Sequence, residues 1–137
     1  MADIGYKRYP PSILIIKDSL SQTAGLKQKL ERNGCQVHQI NPRSEFLTKT
    51  GQEYYDVVVL EIERFNMEVL ELCRKLEANL ELATTPTVIL TPPNMGTEIK
   101  NELEISGPIY YLCQDMFVES GLLQIIEQVR YMTYRYM

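Results

Sequence analysis

Asp56-Val57-Val58-Val59-Leu60 is the stretch on which the fold of this chain turns. Three valines and a leucine in unbroken succession suit a strand buried on both faces, because a strand with one wet face would alternate apolar and polar residues. β-branched side chains also fit a pleated sheet better than a helix. Glu61 follows directly, and after it the period changes. Val69, Leu72, Cys73 and Leu76 recur at i, i+3, i+4 and i+7, the spacing of one buried helix face. A buried strand followed by an amphipathic helix is the repeating unit of a parallel α/β sheet, so the flanks should repeat it.

They do so on both sides. Upstream, Ile13-Leu14-Ile15-Ile16 after Pro10-Pro11 is a second continuous apolar run. Ser19 or Ser21 can cap a helix carrying Leu26 and Leu30, which Asn33-Gly34 ends. Val37 to Ile40 reads as a weaker strand near an edge. Asn41-Pro42 breaks it, and Phe46-Leu47 begin a short helix that Gly51 weakens. Downstream, Pro86 precedes the strand Thr87-Val88-Ile89-Leu90. Pro92-Pro93 forces a loop, and Thr97 to Ile105 makes a modest polar helix. Ser106-Gly107-Pro108 turns into Ile109-Tyr110-Tyr111-Leu112, and a last helix places Leu122, Ile125, Ile126 and Val129 on one face. Five strands alternating with five helices predict an α/β three-layer sandwich, a five-stranded parallel sheet with helices on both faces. The 137 residues suit one such domain, with residues 1–11 as an N-terminal extension, 12–132 as the domain and 133–137 as a tail or the start of a linker.

Composition narrows the function classes. A formal net charge of −4 and the absence of any basic block disfavour a nucleic-acid surface. No apolar run approaches the roughly 20 residues that span a bilayer, and Met1 to Pro11 lacks the apolar core of a signal peptide. The expectation is a soluble, cytoplasmic protein. Cys35, Cys73 and Cys113 are odd in number and lack CxxC spacing, and one histidine, His38, does not complete a zinc site with them. They read as reduced, mostly buried thiols. No Walker loop, GxSxG elbow or HExxH occurs, so the chain is not expected to be an enzyme.

In parallel α/β sheets ligands sit outside the carboxyl ends of the strands. The residues there carry a resemblance. Ile13-Leu14-Ile15-Ile16-Lys17-Asp18-Ser19 is similar to the first strand of response-regulator receiver domains, which ends in an acidic pair. Tyr55-Asp56-Val57-Val58-Val59-Leu60-Glu61 is similar to the third, which ends in the phospho-accepting Asp. Asn66 to Leu76 resembles the loop and helix that follow it, and Thr84 to Thr91 resembles the fourth strand with its terminal hydroxyl residue. The likeness runs from Ser12 to Met132.

The resemblance implies a signalling domain of the two-component kind. In that family an Asp carboxylate takes a phosphoryl group from a histidine kinase. An acidic pair holds Mg²⁺, and a hydroxyl and a lysine bind the phosphoryl oxygens. The sequence departs from that pattern at three points. The acceptor position is Glu61, whose extra methylene carries the carboxylate forward by roughly 1 Å, and a misplacement of that size can cost about 10²-fold in rate. The first of the acidic pair is Lys17, leaving Asp18 alone. Between Leu112 and Phe117 there is no lysine, and the proline that usually follows it is missing. Lys17, Asp18, Glu61 and Thr91 therefore read as a degenerate phosphorylation pocket, in which only Asp18 and Thr91 match. The Lys17 ammonium between Asp18 and Glu61 would take the place of the metal and phosphate; otherwise Lys17 points to solvent and Glu61 has no role.

The function expected is a pseudo-receiver that signals through protein–protein contact without phosphorylation, needing no cofactor or metal. The first alternative is a working phosphorelay receiver. The second is a flavodoxin-like module, with Ser19, Ser21 and Thr23 around a flavin phosphate. His38, beside Gln36 and Gln39, reads as solvated. Tyr131, Met132, Tyr134, Tyr136 and Met137 alternate with Arg130 and Arg135, residue types enriched at interfaces. The resemblance implies that the fourth helix, fifth strand and fifth helix form the partner or dimer surface. Tyr110, Tyr111, Tyr131 and Tyr134 are the candidates for that surface.

Overall fold

The computed structural model describes residues 10–17, 25–40, 55–62, 67–78, 84–91, 109–113 and 118–135, with side chains for all of these except 67–70, 77, 113 and 132–135. Five strands form one parallel sheet: β1 (Ser12–Ile16), β2 (Gln36–Ile40), β3 (Val57–Glu61), β4 (Thr87–Thr91) and β5 (Ile109–Cys113). Among the described residues three helices accompany them: α1 (Leu26–Arg32), α2 (Met67–Ala78) and α3 (Val118–Arg135). The expected short helices near residues 46–51 and 97–105 lie outside the described residues, as do Ser19 and Ser21.

The strand order is β2-β1-β3-β4-β5. The chain first moves outward from β1 to β2, then returns past β1 to build β3, β4 and β5 in the other direction. This is a doubly wound sheet, and its direction reverses between β1 and β3. In sheets of this kind ligands bind outside the carboxyl ends of those two strands. The three central strands are the continuous apolar runs, and every residue of β3 and β4 is buried. Polar β2, with Gln36, His38 and Gln39 exposed, lies at an edge as its composition suggested.

Residues two apart along a strand share a face, so the sheet divides its side chains between two cores. Leu14, Ile16, Val58, Leu60 and Ile89 pack on the side of α2, against Leu72, Cys73 and Leu76. Ile13, Ile15, Val57, Val59 and Leu90 pack on the other side, against Leu26 and Leu30 of α1 and Leu122, Ile126 and Val129 of α3. α3 packs on β5 at Gly121, where a Cβ would make an ordinary van der Waals contact of 3.4 Å with Leu112 Cδ2. α3 runs on to Arg135, three residues past residue 132.

α1 is shorter than the sequence suggests. It starts on Gly25, whose φ of 96° lies in the left-handed region that glycine adopts without strain. The Gly25 carbonyl accepts the first helical bond from Lys29 N at 2.9 Å. The other end is a Schellman motif. Cys35 N donates to Leu30 O at 3.1 Å and Gly34 N to Glu31 O at 3.0 Å, with Gly34 at φ 88°. Leu30 and Cys35 then pack into the same core. Gly34→Ala is expected to lower the unfolding free energy by about 1 kcal/mol, the cost of a Cβ in the left-handed region. Urea denaturation measures it, and an unchanged midpoint would contradict this account of the turn.

Candidate functional site at the carboxyl ends of β1, β3 and β4

The site is aligned from the opposite end of the sheet. Asp56, just before β3, binds Ser12 at the start of β1 twice. Ser12 N donates to Asp56 Oδ2 at 2.8 Å, and Asp56 N donates to Ser12 O at 2.8 Å. From this anchor the parallel register runs Ile13↔Val57 to Ile16↔Leu60. One step further sets Lys17 beside Glu61, on strands about 4.8 Å apart. The ladder persists to that level, since Lys17 N donates to Ile40 O at 3.1 Å and Ile62 N to Leu90 O at 2.9 Å. On the other flank, Glu61 pairs with Leu90, and Thr91 ends β4 one residue beyond.

Three of the four pocket residues named from the sequence thus share one edge. Glu61 is 6% exposed and Thr91 2%, while Lys17 is half-buried. Among the described residues Glu61 is the only buried acidic or basic side chain. Asp18 lies outside the described residues. So do Ser19, Ser21 and Thr23, the hydroxyls weighed for a flavin phosphate. β5 ends at Cys113, level with Thr91, and neither Cys113 nor the following Gln114 is a lysine.

The Mg²⁺ that the resemblance implies does not fit these donors. A hard dication wants about six oxygen ligands, several of them carboxylates. The described residues at this edge supply one carboxylate, from Glu61, and one hydroxyl, from Thr91. Lys17 supplies an ammonium, which has no lone pair to give and repels a dication.

The tyrosines divide. Tyr131 on α3 is 54% exposed, the one exposed large hydrophobic side chain among the described residues. Tyr110 and Tyr111 are both half-buried and belong to opposite faces of β5. Tyr110 packs with the α1 and α3 core, Tyr111 with the α2 core. Burial pushes the Tyr111 phenol above its ordinary range, and the neighbouring Cys73 adds to the effect. Adjacent residues on a strand point to opposite faces of the sheet, so Tyr110 lies on the α3 side and Tyr111 on the α2 side. Tyr134 falls within α3, and its side chain is not among those described.

Two features had no counterpart in the sequence reading. His38 is not merely solvated: its Nδ1 lies 2.7 Å from the hydroxyl of buried Tyr55, the rings tilted 59° with centroids 6.0 Å apart. Tyr55 reaches from the foot of β3 across β1 to β2, a contact spanning 17 residues of chain with no local signal. The second lies at the foot of the sheet. Cys35, a buried free thiol, feels Arg130 of α3 and Asp56. Burial pushes the Cys35 thiol up, Arg130 pulls it down and Asp56 raises it again. The net upward shift keeps it protonated at neutral pH and a poor nucleophile.

No protein-family model matches this chain, and no curated protein does. Solved structures match over most of its length. A response-regulator receiver domain from Clostridium thermocellum superposes with a TM-score of 0.71 at 19% identity, over 93% of this chain and 99% of that one. The receiver domain of Francisella response regulator 1452 gives 0.68 at 22%, over 90% and 98%. Vibrio cholerae chemotaxis protein CheY4 gives 0.64 at 22%, over 88% and 98%. These superpositions show that the chain has the fold of the CheY-like receiver domains of response regulators.

Proposed function

We propose that this chain is a receiver-fold signalling module that acts by binding other proteins and does not accept a phosphoryl group. The observation that carries the proposal is Glu61, buried at the carboxyl end of β3 with Lys17 abreast of it. Phosphoryl transfer is almost entirely positioning and charge neutralisation. In receivers the acceptor is an aspartate with a metal beside it. Here the acid is one methylene longer, a cation stands where the metal's first carboxylate ligand would be, and the lysine expected after β5 is absent. The strand ends keep the receiver's order and lack most of its phosphorylation chemistry.

What remains is a surface. α3 carries exposed Tyr131, and half-buried Ile109 to Leu112 form β5 at the sheet edge opposite β2. An aromatic side chain on a rigid helix is a low-entropy anchor for a partner protein, whether a kinase, an output domain or a second copy.

Incubation with acetyl phosphate and Mg²⁺ is expected to leave the intact mass unchanged. Beryllofluoride with Mg²⁺ is expected to leave the amide resonances of Ile62 and Thr91 in place. A protein heavier by one phosphoryl group, mapped to Glu61 or Asp18, would overturn the proposal and make the chain a phosphorelay acceptor.

A further inference from the structure

We infer that the ammonium of Lys17 is the resident cation of the β1–β3 edge, holding the Glu61 carboxylate and shutting divalent cations out. This rests on the reading of the edge as a pocket not built for phosphoryl transfer, and adds what occupies it.

Three observations lead there. The Asp56–Ser12 anchor and the register it starts set Lys17 and Glu61 level with each other. The pleat then gives them a common side: Ile13 and Ile15 on one strand, Val57 and Val59 on the next, pack in the same core, and Lys17 and Glu61 continue those two series. Finally, Glu61 is 6% exposed. An ionised carboxylate so buried needs a charged or hydrogen-bonding partner, since desolvation without one is costly. Lys17 is half-buried, and its four-carbon stem easily covers the gap of about 4.8 Å between adjacent strands. A dication at this edge would need the carboxylate that the ammonium holds and would have to approach a like charge.

Mn²⁺ is the probe, because its paramagnetism broadens nearby amide signals. In ¹⁵N-labelled protein, the Ile62 and Thr91 signals are expected to keep their widths as Mn²⁺ is added. In Lys17→Met they are expected to broaden saturably, with Mn²⁺ bound at least about tenfold more tightly once the like charge is gone. Saturable broadening of both amides in the parent, or identical titrations of parent and Lys17→Met, would overturn the inference. A second readout does not depend on that variant's folding. The Lys17 ammonium protons should give a slowly exchanging signal in the parent that is lost in Glu61→Gln, and a signal unaffected by Glu61→Gln would also overturn it. The two readings fail separately. Mn²⁺ at the edge of a protein that takes no phosphoryl group refutes the resident cation alone, whereas a phosphoryl group on Glu61 refutes the functional reading.

Discussion

Lys17→Met is expected to lower the unfolding free energy by roughly 3 kcal/mol, and Glu61→Leu added to it is expected to recover most of that loss. The asymmetry follows from burial. Removing the cation alone strands a carboxylate that is 6% exposed, in a strand whose every residue is buried. The protein must then keep that charge desolvated with one partner fewer. Removing both charges leaves an apolar edge above the core of Ile15 and Val59, where leucine and methionine are at home. Half-burial of Lys17 puts the expected cost at the low end of the range for buried pairs. Urea denaturation of the parent, both single variants and the double variant closes the cycle. A coupling energy near zero would show that the two side chains do not meet. A domain stable by about 5–15 kcal/mol stays folded through a loss of this size, so the Mn²⁺ titration of Lys17→Met remains readable.

Leu60→Ala should cost roughly 2–5 kcal/mol. Leu60 is 1% exposed and sits in β3 between β1 and β4, paired with Ile16 and Ile89. It packs on the α2 side with Leu72, Cys73 and Leu76. Shortening it opens a cavity that neighbours on a central strand cannot close, because the backbone on either side is held by ladder bonds. The same substitution acts on the site, since Leu60 immediately precedes Glu61. Denaturation gives the stability, and the Ile62 and Thr91 amide shifts report whether the edge has moved. A loss under about 1 kcal/mol would mean that α2 collapses onto the vacancy, contrary to the rigid packing expected of such a core.

How much of this was legible beforehand depends on how local each cause is. All five strands were found to within a residue at either end, because a strand buried on both faces has to be a short, uninterrupted, β-branched run. Val57 to Leu60 and Ile13 to Ile16 could be little else. The edge position of β2 was legible for the complementary reason, since Gln36, His38 and Gln39 would be costly anywhere else in the sheet. The start of α1 was not legible, because it is set by the left-handed φ of Gly25, which no periodicity reports.

Charge and residue type at the strand ends were therefore written in the chain: a lysine after β1, a glutamate where an aspartate would serve, a threonine ending β4, no lysine after β5. Proximity was not. That Lys17 stands level with Glu61 follows from Asp56 binding Ser12, a contact across 44 residues that no periodicity announces. Tertiary structure likewise joined His38 to Tyr55 across β1 and sent Tyr110 and Tyr111 into separate cores. Periodicity reports what each residue demands of its surroundings. Which residue meets that demand is decided when strands far apart in the chain are brought into register.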